Sequence, residues 1–140
     1  MTGPGSIVGS FFERMQARAW DAAAEPISPT AEIEFTATGE RFDGAGFMRM
    51  NRDYPEGWTL SVEEILAEGD RVAAQVRVTQ DGRTFRCVGF YTVRGGVIVS
   101  GVENWLTEGA DEPPAWRLSY GGGTPCRADA LEAPGPPSGG

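Results

Sequence analysis

Residues 67–106 read AEGDRVAAQVRVTQDGRTFRCVGFYTVRGGVIVSGVENWL, and their alternation decides the fold. Val72, Ala74, Val76 and Val78 recur at every second position, the period of a β-strand with one buried face. Asp81-Gly82 is a strong two-residue hairpin signal, because a type I′ turn needs positive φ at both central positions. Phe85, Cys87, Gly89, Tyr91 and Val93 alternate next. Arg94-Gly95-Gly96 turns the chain again, and Val97, Val99, Gly101, Glu103 and Trp105 share the same parity in the last strand. The stretch predicts three long antiparallel strands joined by tight turns.

The opposite parity carries Val88, Phe90, Ile98, Val102 and Leu106. A sheet with one wet face alternates with polar residues there. Apolar residues on both faces predict that one face holds the core and the other meets a second copy of the chain, through Val88, Phe90, Ile98 and Val102.

Upstream, Trp58, Leu60 and Val62 begin another strand, with a bend or bulge at Glu63-Glu64 before Ile65 and a turn at Gly69-Asp70. Before it, Asp43 can cap a helix that carries Phe47, Met50 or Asn51, and Tyr54 on one side, ended by Pro55 and Gly57. Ile33, Phe35 and Ala37 share a strand face opposite Glu32, Glu34 and Thr36, and the Gly39–Gly44 region reads as a turn. Near the start, Ile7, Val8, Phe11, Phe12, Met15 and Ala19 recur at helical spacing, with Ser6 or Ser10 as the candidate cap. Trp20 to Glu25 forms a second short helix, stopped by Pro26 and Pro29. Residues 1–5 read as a flexible lead, residues 6–117 as one domain, and residues 118–140 as a Gly/Pro-rich tail.

Composition restricts the chemistry. The 140 residues carry a net charge of -8, no histidine, and twelve basic residues that are all arginine. Without histidine there is no Ser-His or Cys-His pair and no imidazole ligand for zinc. Without lysine there is no side-chain Schiff base. Acid/base work falls to Asp, Glu, Tyr, Cys or water. The acidic balance and scattered arginines argue against nucleic acid as a partner. There is no apolar run of membrane-spanning length and no signal-peptide pattern, so a cytoplasmic protein with no membrane association is expected. Arg, Ala, Gly and Pro richness suggests a GC-rich bacterial source. Cys87 and Cys126 make no metal site, and a disulfide between them is not expected. No dinucleotide motif occurs, so no cofactor is expected.

The order helix, short helix, strand, helix, then a meander of strands resembles the nuclear-transport-factor-2-like superfamily and, within it, the SnoaL-like bacterial small proteins. The words that carry the resemblance are ARAWD (17–21), AEIEFTATGERFDG (31–44), NRDYPEGW (51–58), AEGDRVAAQVRV (67–78), VENWL (102–106) and PPAWR (113–117). It implies an α+β cone: a curved antiparallel sheet packed against about three N-terminal helices around an apolar interior pocket. Members include ketosteroid isomerases, polyketide cyclases, dehydratases and epoxide hydrolases, beside domains that only bind or assemble. Where the isomerase-like pattern has its proton-shuttling aspartate, this chain has Phe35. The acid of the oxyanion hole would fall near Gly89 or Tyr91, and none is there.

In that cone Glu103 has pocket-directed parity and is the candidate acid/base. Burial raises a carboxyl's pKa toward a useful range. The alternative is a structural Glu103 bonded to a tyrosine, a tryptophan or a backbone N–H. Tyr91 and Tyr54 could donate to a substrate oxygen. Phe12, Met15, Trp20, Ile33, Phe35, Trp58, Val76, Cys87, Gly89, Gly101 and Trp105 are the expected pocket lining. A pocket filled by Trp58 and Trp105 would weaken every small-molecule reading. Glu32 and Glu34 read as a solvated or interface face, Glu40 as a contact to Arg41 or a pocket-mouth group, and Trp116-Arg117 as a return over the helices. The function implied is a cofactor-independent cyclase, isomerase, dehydratase or hydrolase acting on a small apolar polyketide- or terpenoid-like molecule. The alternatives are a non-catalytic binder and a dimeric assembly domain.

Overall fold

The computed structural model describes residues 3–121. Helices α1 (Pro4–Gln16) and α2 (Trp20–Ala24) precede strand β1 (Ile27–Phe35) and the short β2 (Glu40–Asp43). Helix α3 (Gly44–Asp53) follows, then β3 (Thr59–Glu68), β4 (Arg71–Gln80), β5 (Arg83–Arg94) and β6 (Val97–Thr107), with a 3-10 turn at Ala115–Arg117. The six strands form one curved sheet in the order β2-β1-β6-β5-β4-β3, open at both edges. The expected α+β cone is present. The sheet is mixed rather than wholly antiparallel, because β1 runs parallel to β6.

Helix α1 buries Ile7, Val8, Phe11, Phe12 and Met15 against the sheet. Its start differs from the sequence reading. Gly3 is the N-cap and Pro4 the first residue, so residues 4 and 5 belong to the helix and neither Ser6 nor Ser10 caps it. Proline suits that position, where its missing N–H has no partner to lose. The helix stops at Gln16, and Arg18 takes a left-handed φ of 60°. Ala19 therefore leaves the apolar face and is exposed. Asp43 caps α3 as expected, its carboxylate accepting from Gly46 N at 2.7 Å.

The Asp81-Gly82 turn has φ of 52° and 76°, both positive as a type I′ hairpin requires. The ladder of β3 on β4 slips between Val62 and Glu64, so the expected bulge at Glu63-Glu64 is present. It leaves Glu63 on the outer face, where its carboxylate accepts from Arg86 at 2.9 Å and from Gln75 at 3.0 Å. Bulges of this kind bend a strand and increase its twist.

A second bulge corrects the parity of β6. The β5–β6 ladder slips between Thr92 and Val93. Gly101 and Glu103 keep the inward parity, but before the slip Ile98 takes it over from Val97 and Val99. Ile98 is 1% exposed and belongs to the core, so it is not part of the outer face. On that face a row runs Leu66–Ala73–Phe90–Val102 across four strands. Leu66, Phe90, Val102 and Leu106 are exposed there.

Three local readings change. Residues 40–43 pair with β1 as β2, where a plain turn was expected. Strand β1 begins at Ile27 and ends at Phe35, leaving Ala37 exposed in the turn. Trp116 does not return over the helices; it is 71% exposed and meets Tyr120 edge-on at 6.2 Å between ring centroids. Cys126 and most of the tail lie outside the described residues. Among the described residues no helix is long and apolar enough to cross a membrane.

Candidate functional site

The concave face of the sheet, with helices α1 and α3, encloses a cavity. Phe12 and Met15 of α1, Phe35 of β1, and Phe47, Met50 and Asn51 of α3 form one side. Tyr54, Trp58, Leu60, Val76, Val78, Glu103 and Trp105 complete the wall. The free space is about 50 Å³, room for a few water-sized groups. Trp58 and Trp105 narrow it without closing it. A larger ligand enters only as the wall yields, and Met15 and Met50 are the adaptable side chains there.

Glu103 is the one carboxylate in this wall, which contains no cation. It is 2% exposed. Tyr91 Oη donates to Glu103 Oε2 at 2.6 Å, and Trp105 Nε1 donates to Oε1 at 3.1 Å. Burial pushes the Glu103 carboxyl above the usual carboxylate range, while Tyr91, Trp105 and the neighbouring Cys87 thiol pull it partly back. Among the described residues no arginine is seen to pair with it. The group is thus a hydrogen-bonded carboxyl in apolar surroundings, poised to hold or give a proton.

The strand register explains how Tyr91 reaches Glu103. Tyr91 pairs with Gly101, and Gly89 pairs with Glu103. The Tyr91 ring lies diagonally over both glycines. A Cβ built on Gly89 would fall 2.5 Å from Tyr91 Cζ and 2.6 Å from Cε2. One on Gly101 would fall 2.8 Å from Cδ1. Only a side-chain-free slot admits the ring. Phe12 covers it edge-on, at 6.0 Å between centroids.

Several expected lining residues therefore sit behind the wall. Tyr91 is 1% exposed and does not reach the cavity, so it holds Glu103 rather than a ligand. Ile33, Cys87, Gly89 and Gly101 form the layer beneath. Burial raises the Cys87 thiol pKa well above its ordinary value, and the Glu103 charge adds to the rise. Burial of this kind disfavours the thiolate, the form in which a cysteine attacks. Trp20 lies outside the wall, tilted against Trp58 at 6.4 Å. Tyr54 lines the cavity, but its hydroxyl donates to Gln80 Oε1 at 2.8 Å. Burial is the main reason its pKa is raised. Phe12, Met15, Phe35, Trp58, Val76, Glu103 and Trp105 are placed in the cavity wall. Phe47, Met50, Asn51, Leu60 and Val78 were missing from the expected lining. Each shares a helix side or strand face with an expected residue, so the periodicity contained the signal.

The segment from Tyr54 to Trp58 is clamped twice. Gln80 Nε2 donates to the carbonyls of Pro55 and Glu56 at 3.1 and 3.3 Å. Arg18 donates to both Glu56 carboxylate oxygens at 2.8 Å and to the Trp58 carbonyl at 2.6 Å. Its guanidinium carbon lies 3.4 Å from the Trp58 ring centroid. The acidic surface groups do other work. Glu34 pairs with Arg41 at 3.6 Å. Glu40 accepts from the Thr38 hydroxyl at 2.7 Å, and neither expected role for it is seen. Among the described residues no three metal-ligating side chains converge.

The SnoaL-like domain family matches residues 8–101. The chain belongs to the SnoaL-like family. Solved structures of the same fold agree. A protein of Kribbella flavida, provisionally described as a ketosteroid isomerase, is 27% identical, with a TM-score of 0.80 over 89% of this chain and 92% of its own. IdmH of Streptomyces antibioticus, provisionally described as a polyketide cyclase, is 20% identical, with a TM-score of 0.61 over 75% and 91%. An epoxide hydrolase of M. tuberculosis is 15% identical, with a TM-score of 0.63 over 74% and 82%. No curated protein matches the sequence significantly. Glu103 lies on β6 two residues beyond the end of the family match, opposite Gly89. Phe35, 1% exposed, is an apolar part of the cavity wall.

Proposed function

We propose that this SnoaL-like protein is a cofactor-independent acid/base enzyme acting on a small apolar polyketide- or terpenoid-like molecule, by isomerisation, cyclisation, dehydration or hydrolysis. The observation that carries the reading is Glu103: a buried carboxyl in a cavity wall, paired with no cation among the described residues, with its pKa raised by burial. Such a group takes a proton from a bound substrate and returns it elsewhere, while the apolar wall excludes water and fixes the substrate's pose. The isomerase, cyclase and hydrolase descriptions of the structural neighbours fit that chemistry. With no acid at Phe35 or Gly89, one carboxyl performs both transfers.

The test is proton abstraction itself. Cyclic ketones incubated with the protein in D2O are followed by NMR for deuterium at the carbon beside the carbonyl. Exchange is expected with the native protein and lost in Glu103→Gln, whose amide preserves the shape. Undiminished exchange in the variant refutes the assignment.

A second reading has its own observation. Both oxygens of Glu103 accept from protein donors, as a structural glutamate would. A SnoaL-like binder without catalysis predicts ligand affinity without exchange. Either reading includes a homodimer through the outer sheet face, supported by the exposed Phe90 and Val102, at 45% and 38%, flanked by Val88 and Leu106.

A further inference from the structure

Trp58 Nε1 is a buried side-chain donor without a hydrogen-bond partner, alone in this among the described residues. Trp58 is 6% exposed and forms part of the cavity wall. Indole nitrogen can only donate. Leaving a buried donor unmet is a penalty that phenylalanine at the same place would avoid.

The other donors in the wall are engaged. Trp105 Nε1 donates to Glu103, the Tyr54 hydroxyl to Gln80, and Asn51 Nδ2 to the Phe47 carbonyl at 2.9 Å. The two tyrosines that the sequence offers for a substrate oxygen are therefore both committed within the protein. Trp58 is also held still. Arg18 stacks on one face of the ring and is itself fixed by Glu56 and by the Trp58 carbonyl. The guanidinium charge over the ring draws density from the indole and strengthens its N–H as a donor.

We infer that Trp58 Nε1–H is the docking point for a ligand oxygen, and that the cavity takes a small neutral molecule with a carbonyl, ether or epoxide oxygen. The wall supports neutrality. Its lining is largely apolar and includes no cation, so a carboxylate or phosphate would be buried there without a charged partner among the lining residues. The N–H is shielded from solvent, so a ligand oxygen meets it only as the wall yields, and Met15 and Met50 are the adaptable side chains of that wall. The inference rests on the cavity being a ligand site; it does not need Glu103 to be catalytic.

The experiment uses the full chain labelled with 15N, in which the four tryptophans give four indole signals. Through-bond and through-space assignment of the native chain identifies the signal of Trp58. Cyclopentanone and methylenecyclopentane, alike in shape but unlike in having an acceptor, are titrated in turn. Cyclopentanone should move the Trp58 indole proton downfield, and methylenecyclopentane at equal occupancy should not. Trp58→Phe should weaken cyclopentanone about 3- to 10-fold, the worth of one hydrogen bond, and leave the hydrocarbon unchanged. Cyclopentanone that shifts the Trp105 indole or the Met15 and Met50 methyls while leaving Trp58 unmoved overturns the inference and preserves the ligand site. If neither probe perturbs any wall residue, the ligand-site reading and this inference fall together. The ketone–alkene contrast in the native chain needs no variant, so a poorly folded Trp58→Phe does not obscure the result.

Discussion

Gly89→Ala tests how the Glu103 site is built. The added methyl would sit 2.5 Å from Tyr91 Cζ and 2.6 Å from Cε2, closer than any real Cβ contact. The ring cannot simply slide aside, because Gly101 lies beneath its other edge and Phe12 covers it. Overpacking of a well-filled core costs about 1–3 kcal/mol. Displacing the ring also breaks the Tyr91–Glu103 bond, and a hydrogen bond to a charged group is worth about 1.5–3 kcal/mol. Because the charged form of Glu103 is already disfavoured by burial, the lower part of that range applies. A total loss of about 2.5–5 kcal/mol is expected, measured by urea unfolding at neutral pH. The same substitution in a Tyr91→Leu background meets no ring, so it should cost about 1 kcal/mol or less. Equal costs in the two backgrounds would show that the glycine is not a slot for the tyrosine, and the reasoning would fail.

Other outcomes follow from the same structure. The Glu103 pKa is raised in the folded state, so the unfolded chain loses that proton first. Its stabilising share is whole below the ordinary carboxylate pKa of about 4.3 and drains as pH rises through the folded value. Native protein should therefore lose stability relative to Glu103→Gln across that window, in melts run from acid to neutral pH; parallel curves would contradict it. Arg18→Ala should lower the melting temperature and speed amide exchange at residues 57–60, since the clamp on Glu56 and Trp58 is gone. Unchanged exchange there would show the segment is held by other contacts. Asp43→Ala should cost about 1 kcal/mol through loss of the α3 cap, with Asp43→Asn nearly neutral in denaturant titrations. Phe90→Asp should convert a dimer to a monomer of 15.0 kDa in sedimentation. A native chain that is already monomeric removes the dimer proposal.

The hairpin at Asp81-Gly82, the inward row Val72–Val78, the helix face of Ile7 to Met15 and the Asp43 cap were all legible in the residues. Each depends on a local rule: a turn geometry, a period, or a side chain capping its own helix. The inward position of Glu103 was legible for the same reason, since it lies beyond the β6 slip and keeps the parity of Gly101 and Trp105. The family words added the concave arrangement around it. Ile98 was misplaced because one slipped rung at Thr92/Val93 reverses every side chain before it, and no composition marks that rung. The parallel pairing of β1 with β6 escaped too, because it joins residues about seventy positions apart.

The local chain thus dictated which residues face inward together, because alternation and turn geometry act over a few bonds. It also excluded histidine and lysine chemistry outright. Which inward residues meet the cavity was a matter of packing in three dimensions. Tyr91 and Glu103 share parity, yet two missing β-carbons let the tyrosine ring lie flat beneath the carboxyl, so that Glu103 reaches the cavity and Tyr91 does not. Trp58 likewise read as an ordinary wall residue. Its unmet N–H arises only where Arg18, forty positions away, fixes the ring among neighbours that offer it no acceptor.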